Sequence, residues 1–346
     1  MSRILFIKPK HIGDSLILTP TLTAVRQAYP AAEIWVAVRK GCEGILAGCP
    51  AVDRILTLAP VEEKKRPPLA FAAEMLQLLR LARVKFDYVF ELGDAHRGRW
   101  LSLFCRAKYK YSVKTTGPLK GFWRRRFSGV SNFDWATCHR VEKDFYSVHE
   151  FLKLPLPIPG LTFDRNRARV WEPSRALGNF AVLQIGTRQQ RNRWHYEGWR
   201  EVGKHLLTHF SDLVISTGPD ADEIAEARRL QADLGGKPLC TLGQTSWSEV
   251  ADLFYRARLC VSPSTAALHL AAACQCPSVA VFGPTIEDHW HPWRTPHRIV
   301  TVRDFRPNEA DSEARYRAIK RRATLEIQTE DVISACDSII AARRTA

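Results

Sequence analysis

The sequence has no apolar run long enough to cross a membrane, since no stretch reaches about eighteen uninterrupted apolar residues. Near the start, the apolar segment from Ile4 to Ile7 is flanked by Arg3 and Lys8. It is too short for the hydrophobic region of a signal peptide. These absences predict a cytoplasmic protein.

The cysteines lack the spacing of a metal site or a disulfide framework. Nine of them are scattered irregularly, and the one tight pair, Cys274 and Cys276, has no second pair beside it as a zinc site requires. They are interpreted as reduced thiols, with a metal or redox site as the alternative. No cofactor and no bound metal are predicted.

Two phosphate-binding fingerprints are also missing. The chain contains neither G-x-G-x-x-G nor G-x-x-x-x-G-K-[ST], so the oxidoreductase and kinase classes lose their main support. The amino-acid composition is that of an ordinary globular protein, with 45% apolar and 25% charged residues in 346 positions. That length predicts two domains, each with its own core.

Short β-rich segments alternate with helical patterns along the whole chain, which predicts an α/β protein with parallel, doubly wound sheets. The first helical pattern is long and starts at Asp14, and another lies around Leu69 to Ala82. Prolines at 155, 157 and 159 predict a linker. The expected domains are residues 1–165 and 175–328, with a terminal helix over 329–346 that could pack across both.

The charge is strongly basic. Lysine and arginine number 51 against 36 acidic residues, and the net charge of +15 predicts an anionic partner. From Ala95 to Phe133 there is no acid, and aromatic residues interleave with the basic ones there. This basic stretch suits a lipid headgroup surface or nucleic-acid stacking. A merely solvated basic face is the bland alternative.

The loop from Lys8 to Ser15 follows the first predicted strand. Gly13 permits a tight turn, and Asp14 then stands at a helix N-terminus, where the helix dipole and the cations Lys8, Lys10 and His11 favour the ionised carboxylate. Asp14 is therefore a candidate general base. The alternative is that Asp14 serves only as the N-cap of the helix.

The segment from Gly243 to Thr285 opens with the capping-box pattern Ser246-x-x-Glu249. It continues into Ser262 to Ala273, where small residues at a strand-to-helix turn expose backbone N–H groups to an anion such as a pyrophosphate. His269, one turn into that helix, could reach the same phosphates. A structural core histidine is the alternative.

With these motifs in hand, the chain resembles glycosyltransferase family nine, the bacterial lipopolysaccharide heptosyltransferases. The resemblance is carried by Gly13-Asp14, Thr187 to Trp199, Ser264 to Ala273 and Phe282-Gly283-Pro284-Thr285, which have the family's order and spacing. The basic segment Arg97 to Arg126 resembles the third core heptosyltransferase subgroup.

The resemblance implies a GT-B fold, meaning two facing Rossmann-like domains with a cleft between them. Acceptor would bind to the first domain and nucleotide sugar to the second. It further implies inverting transfer of a heptose from ADP-heptose to a lipopolysaccharide core or related anionic glycolipid, by an enzyme that could contact the inner membrane peripherally. The alternatives are a sugar-nucleotide epimerase of the same fold and a basic nucleic-acid-binding protein.

The resemblance also places the family's functional residues on this chain. The catalytic aspartate falls on Asp14. The acceptor side is expected to include Lys8, Lys10, His11, Arg97 and Arg124. The donor side is expected to include Thr187, Arg191, Arg193, Gly218, Ser264, Thr265, Ala266 and His269.

Two departures from the family pattern concern the donor. The usual lysine two positions before Trp194 is Asn192, flanked by two arginines, one of which is expected to supply the missing charge. The usual Asp-Thr-Gly is Ser264-Thr265-Ala266.

Asp220-Ala221-Asp222 spells the D-x-D of metal-dependent glycosyltransferases but opens a helix, so it is interpreted as a cap. Metal-independent transfer is therefore predicted.

Overall fold

The computed structural model describes residues 2–59, 76, 79, 81–93, 96–114, 119, 121–283, 285–302 and 322–344. The chain divides into two compact units, Met1–Thr162 and Phe163–Ala346. The division falls just after the proline cluster that predicted a linker. Each unit is described separately below.

The first unit contains a six-stranded sheet in the order β3-β2-β1-β4-β5-β6, and every pairing in it is parallel. Its strands are β1 (Arg3–Lys8), β2 (Glu33–Arg39), β3 (Arg54–Leu58), β4 (Lys85–Glu91), β5 (Arg106–Val113) and β6 (Gly129–Ser131). Its described helices are α1 (Ile12–Ile17), α2 (Thr19–Ala28), α3 (Glu43–Leu46), α4 (His96–Phe104), α5 (Gly121–Arg124) and α6 (Arg140–Leu152).

The second unit repeats this plan in the order β12-β11-β10-β7-β8-β9, again with parallel pairings. Its strands are β7 (Phe180–Gln184), β8 (Asp212–Ser216), β9 (Leu239–Cys240), β10 (Leu259–Pro263), β11 (Ser278–Phe282) and β12 (His297–Thr301). Its described helices are α7 (Tyr196–His209), α8 (Ala221–Asp233), α9 (Trp247–Arg256), α10 (Ala266–Ala273), α11 (Glu287–Trp290) and α12 (Thr329–Arg344).

Both sheets have the Rossmann strand order, in which the chain builds outward from a central strand and then restarts on its other side. The reversal lies between β1 and β4 in the first unit and between β7 and β10 in the second. The α/β, doubly wound fold class predicted from the sequence is therefore confirmed. Loops that leave the two central strands diverge at these points and leave a crevice for a ligand.

Each unit has a core of its own. In the first, Leu5 and Ile7 of β1 pack with Val89 of β4 on one face of the sheet. In the second, Trp199 of α7 joins a larger cluster that includes Val332 of the terminal helix α12. That helix lies on β10, β11 and β12 and against α7, so in the structure it is part of the second unit's core.

The local elements follow recognisable signals. Ser246 is the N-cap of α9, and it exchanges hydrogen bonds with Glu249, which confirms the predicted capping box. The long helix expected from Asp14 is instead two helices, α1 and α2. The second of these begins at Thr19 with Pro20 in its first turn, where a missing N–H has no consequence.

Two further sequence expectations have other outcomes. Most of the helix expected around Leu69 to Ala82 lies outside the described residues. The basic stretch contains a strand, β5, and its Lys110 is half-buried, so burial lowers the pKa of that amine. Within the described part of the chain, no helix is both long enough and apolar enough to span a membrane.

Candidate active site

Asp14 follows the loop after β1 and lies in the first turn of α1. His11 is the N-cap of that helix and Asp14 is its third residue, so the expected N-cap role belongs to His11. The half-buried Asp14 carboxylate accepts a hydrogen bond from the His11 backbone N–H at 3.2 Å. The remaining carboxylate lone pairs can still accept a proton or a hydroxyl group.

Lys8 ends β1 and is only 3% exposed. Its Nζ donates a hydrogen bond to Asp144 of α6, and the two side chains form a buried ion pair. Burial raises the pKa of Asp144, Lys8 opposes that rise, and the nearby Asp14 carboxylate adds to it. An acceptor contact through Lys8 would require this ion pair to open, so that role stays a prediction.

Sequence reasoning missed Asp144, although a signal for it exists. Val141, Phe145, Val148 and Leu152 form the buried stripe of α6, and Asp144 falls on that stripe. A carboxylate in a core-facing helix position needs a cationic partner. The structure supplies Lys8.

Lys10 and His11 lie in the turn between Lys8 and Asp14. The backbone N–H of Lys10 donates to the Lys8 carbonyl at 2.9 Å and closes the turn. The His11 side chain is exposed, and that of Lys10 is half-buried. Both remain candidates for the acceptor side.

The predicted acceptor residues Arg97 and Arg124 lie on α4 and α5. These two helices bring together Trp100, Phe122 and Trp123, whose ring centroids are 5.1 to 6.0 Å apart. We call these three side chains the aromatic patch. Trp100 and Phe122 are about half exposed, at 50% and 47%. The Arg126 guanidinium lies over the Phe122 ring, 4.6 Å from its centroid.

One arginine of the basic stretch is not at the surface. Arg99 is 5% exposed, and its Nε lies 3.7 Å from Oε2 of Glu91, which is fully buried at the end of β4. The Ser112 hydroxyl donates to the same Glu91 oxygen at 2.7 Å. Arg99 therefore belongs to the interior of the first unit.

In the second unit, the loops after β7 and β10 meet at the strand-order reversal. Asn192, in a short 3₁₀ turn, donates from its Nδ2 to the backbone carbonyl of Ser264 at 3.1 Å. Asn192 is 6% exposed, and Thr187 earlier in the loop is 5% exposed. The amide at the family's lysine position thus ties together the two loops that are predicted to bind the donor.

The two arginines beside Asn192 have different environments. The Arg193 guanidinium lies 3.3 Å from Asp220 and 4.0 Å from Glu223, and its side chain is 19% exposed. The Arg191 side chain is exposed, while its backbone carbonyl accepts a hydrogen bond from the Thr324 hydroxyl at 2.6 Å. Of the two arginines, Arg191 therefore has the side chain exposed to solvent, while a hydrogen bond fixes its backbone.

Glu223 and Gly186 were not found by sequence reasoning. Glu223 is 5% exposed, and its Oε2 accepts from the backbone N–H of Gly218 at 2.9 Å. A Cβ at Gly186 would collide with that same oxygen. The glycine allows the carboxylate to lie against the loop after β7, so these residues fix the position of Gly218, a predicted donor contact.

Helix α10 begins with Thr265 as its N-cap, between Ser264 and Ala266, all three half-buried. The Thr265 side chain makes no cap hydrogen bond to the first backbone N–H groups of α10, and a helix start of this kind is where an anion can bind. His269 is 4% exposed, and its ring lies 6.1 Å from that of Trp290. This burial is compatible with either predicted role for His269.

Asp220 caps α8, as its position suggested. Its Oδ1 accepts from the backbone N–H groups of Asp222 and Glu223 at 3.2 and 3.3 Å. The same carboxylate faces Arg193. The helix cap and the ion pair with Arg193 together explain why an aspartate stands at position 220, the first residue of the D-x-D sequence.

Two units with the Rossmann strand order and polar loops at their reversals define a doubly wound α/β protein, a class in which ligands bind beside the carboxyl ends of the central strands. Residues 76–318 match the model for glycosyltransferase family 9 (heptosyltransferase). The chain belongs to this family and is a glycosyltransferase, which replaces the epimerase and nucleic-acid-binding alternatives.

Relatives are similar over almost the whole chain. Lipopolysaccharide heptosyltransferase 3 of Escherichia coli is 24% identical over 345 residues, covering 96% of this chain and 98% of the relative. Lipopolysaccharide heptosyltransferase 1 of Pseudomonas aeruginosa is 27% identical over 295 residues, covering 82% of this chain and 79% of the relative.

Solved structures share the fold. The family 9 glycosyl transferase from Veillonella parvula superposes with a TM-score of 0.77 at 19% identity, covering 99% of this chain and 97% of that one. The E. coli heptosyltransferase WaaC with ADP superposes with a TM-score of 0.74 at 20% identity, covering 86% and 93%.

The different environments of Arg191 and Arg193 lead to a prediction. We expect Arg191→Gln to raise the KM for the nucleotide-sugar donor by roughly tenfold or more, because a charge-assisted hydrogen bond contributes about 1.5–3 kcal/mol. Unfolding free energy should change by less than about 0.5 kcal/mol, as for other exposed substitutions. Steady-state kinetics and denaturant unfolding measure the two quantities.

Arg193→Gln is the matched control, since it removes the same charge two residues further along the chain. It should mainly lower stability, by about 1 kcal/mol, because Asp220 and Glu223 lose their partner. If Arg193→Gln raised the donor KM and Arg191→Gln did not, the assignment of Arg191 to the donor would be wrong.

Proposed function

We propose that this enzyme transfers a heptose from ADP-heptose to a lipopolysaccharide core or a related anionic glycolipid. Its similarity to relatives named lipopolysaccharide heptosyltransferases, which covers 96% and 82% of this chain, supports that substrate class. The observation that carries the chemistry is the position of the Asp14 carboxylate. It lies in the first turn of α1, beside the strand-order reversal of the first unit, and accepts a hydrogen bond from the His11 backbone N–H.

The proposed reaction is an inverting single displacement. As the acceptor hydroxyl oxygen attacks the anomeric carbon, the bond from that carbon to the β-phosphate oxygen breaks and ADP leaves. The hydroxyl proton passes to Asp14, which acts as general base. One attack from the face opposite the leaving group inverts the configuration at the anomeric carbon.

Fixed protein dipoles and one arginine would stabilise the leaving diphosphate. The backbone N–H groups at the start of α10 form a positive helix end. Thr187 and Arg191 lie in the neighbouring loop after β7. Preorganised donors of this kind stabilise developing charge as a cation would, which supports metal-independent transfer.

The first unit has a surface suited to an anionic glycolipid. Arg124, Arg125 and Arg126 are exposed next to the aromatic patch. Aromatic rings settle at the headgroup level of a bilayer, and arginines there are attracted to anionic lipid. We therefore propose peripheral contact with the cytoplasmic surface of the inner membrane through this patch.

The donor assignment is tested by melting the protein with nucleoside diphosphates. A ligand that binds only the folded state raises the melting temperature by mass action. We expect ADP to raise it more than UDP or GDP at the same concentration, and ADP-heptose to act like ADP. Equal shifts from all three diphosphates would contradict an adenine-specific donor.

The acceptor surface is tested by replacing Arg124, Arg125 and Arg126 with glutamine. Binding to acceptor-containing vesicles should weaken by up to roughly a hundredfold at low salt, since each basic residue contributes about 1 kcal/mol at an anionic surface. The salt dependence of binding should also decrease. ADP binding should be unchanged.

The matched control replaces three exposed arginines of the second unit, Arg165, Arg167 and Arg169, with the same loss of charge. Vesicle binding by this control should stay close to that of the parent. If the two triple variants bound equally well at low and high salt, the basic stretch would be only a solvated face.

The role of Asp14 is tested with two substitutions. Asp14→Asn keeps an oxygen that can accept the His11 N–H but cannot take up the acceptor proton. Turnover should fall by about a hundredfold to ten-thousandfold, the usual contribution of a positioned general base, while stability and ADP binding change little. Single-turnover transfer and thermal melting measure these effects.

Asp14→Ala also removes the hydrogen bond to His11. We expect the same loss of turnover together with about 1 kcal/mol less stability, because the carboxylate half of the capping box formed by His11 and Asp14 is lost. A fully active Asp14→Asn enzyme would remove Asp14 from the mechanism and leave it only a structural role at the start of α1.

A further inference from the structure

Three side chains of the types that ligate metals lie close together on the second unit, away from the loops described above. His205 and His209 are one turn apart on α7, and Asp337 lies on the terminal helix α12. Within the part of the chain that the structure describes, they are the one group of this kind. We propose that they form a binding site for a divalent transition metal, with Zn²⁺ the best match.

The donor set determines the class of metal. Two imidazole nitrogens and one carboxylate oxygen suit borderline ions such as Zn²⁺, Ni²⁺ and Co²⁺. Mg²⁺ and Ca²⁺ prefer ligand sets made entirely of oxygen. Histidines at positions i and i+4 of a helix present their rings on one face, as they do in known zinc sites.

The distances are close to those that a bound metal would impose. The His205 Nε2 lies 2.7 Å and the His209 Nε2 lies 3.5 Å from Asp337 Oδ1. All three candidate ligand atoms lie within 4.8 Å of one another. With bonds of about 2.0–2.1 Å, a tetrahedral zinc places its ligand atoms roughly 3.4 Å apart.

The surroundings also favour a cation. His209 is the last residue of α7, where the helix dipole is negative. The two histidine side chains are 23% and 26% exposed, so water can enter and supply a fourth ligand. A site with three protein ligands and one water is a known zinc arrangement.

This site is separate from the proposed donor site. Helix α7 starts next to the loop after β7, and His205 lies nine residues further on, about 14 Å along the helix axis. Strand β8 begins at Asp212, just after α7 ends, so the histidines lie at the amino edge of the sheet. The donor loops lie at its carboxyl edge.

A metal here would act as a structural clamp. Asp337 comes from α12, which covers β10, β11 and β12, while the histidines come from α7. Bridging the two helices would hold the terminal helix against the core of the second unit. Metal binding would therefore raise the stability of the fold without taking part in glycosyl transfer.

Calorimetric titration of ZnCl₂ into untagged, chelator-treated full-length protein tests the proposal. We expect one Zn²⁺ per chain, a higher melting temperature with Zn²⁺, and no effect of Mg²⁺. Co²⁺ should give tetrahedral d–d absorption without thiolate charge-transfer bands. Eight of the nine cysteines are buried, so thiols offer little competition.

The His205→Gln/His209→Gln double variant should lose this binding, and Asp337→Asn should weaken it by at least about tenfold. Asp331→Asn, which removes the same charge from an exposed position on the same helix, is the matched control and should bind like the parent. EDTA should lower the melting temperature of the zinc-loaded parent but leave its turnover intact.

Two results would overturn the proposal. The first is a parent protein that binds neither Zn²⁺ nor Co²⁺, in which case the three side chains are only a hydrogen-bonded cluster. The second is unchanged binding in the double variant, which would place the metal elsewhere. Loss of turnover with EDTA would instead contradict metal-independent transfer, so the two proposals fail separately.

Discussion

The reversal of strand order in each sheet is the constraint on which the functional architecture depends. Because the chain restarts beside its first strand, the loops after β1 and β4, and those after β7 and β10, must diverge to opposite faces. Asp14 follows the first of these loops, and Thr187 and Ser264 lie in the last two. The strand order therefore positions the loops that lead to the proposed general base in the first unit and to the proposed donor contacts in the second.

Buried polar contacts then fix these loops in place. In the first unit the Lys8–Asp144 ion pair holds the end of β1, just before the turn that carries Asp14. Removing one partner of such a pair leaves an uncompensated buried charge, which costs about 3–5 kcal/mol. In the second unit the buried Glu223 carboxylate accepts a hydrogen bond from the backbone N–H of Gly218 and so fixes the loop after β8. These residues position the loops of the proposed site and need not touch a substrate.

The local signals of the sequence predicted the central strands and the loops that follow them, because apolar runs and turn residues depend on near neighbours. Pairings between distant segments could not be predicted in that way. Asp144 meets Lys8, which is 136 positions away in the chain. The sequence does not predict strand β5, because its basic residues Arg106, Lys108 and Lys110 interrupt the apolar pattern by which the other strands are recognised. Such outcomes depend on tertiary packing, which overrides local pattern.

The two departures from the family pattern, at Asn192 and Ser264, lie at one contact between two loops. Relative to the family pattern that the chain resembles, a lysine has become an amide and an aspartate has become a serine. Asn192 is nearly buried and bonds to the Ser264 backbone. The contact carries no charge on either side, since an amide N–H donates to a backbone carbonyl, and the buried Asn192 Oδ1 has no hydrogen-bond partner among the described residues. In the proposed donor site, the positive charge facing the diphosphate would come from Arg191, whose side chain is exposed and whose backbone carbonyl accepts a hydrogen bond from Thr324.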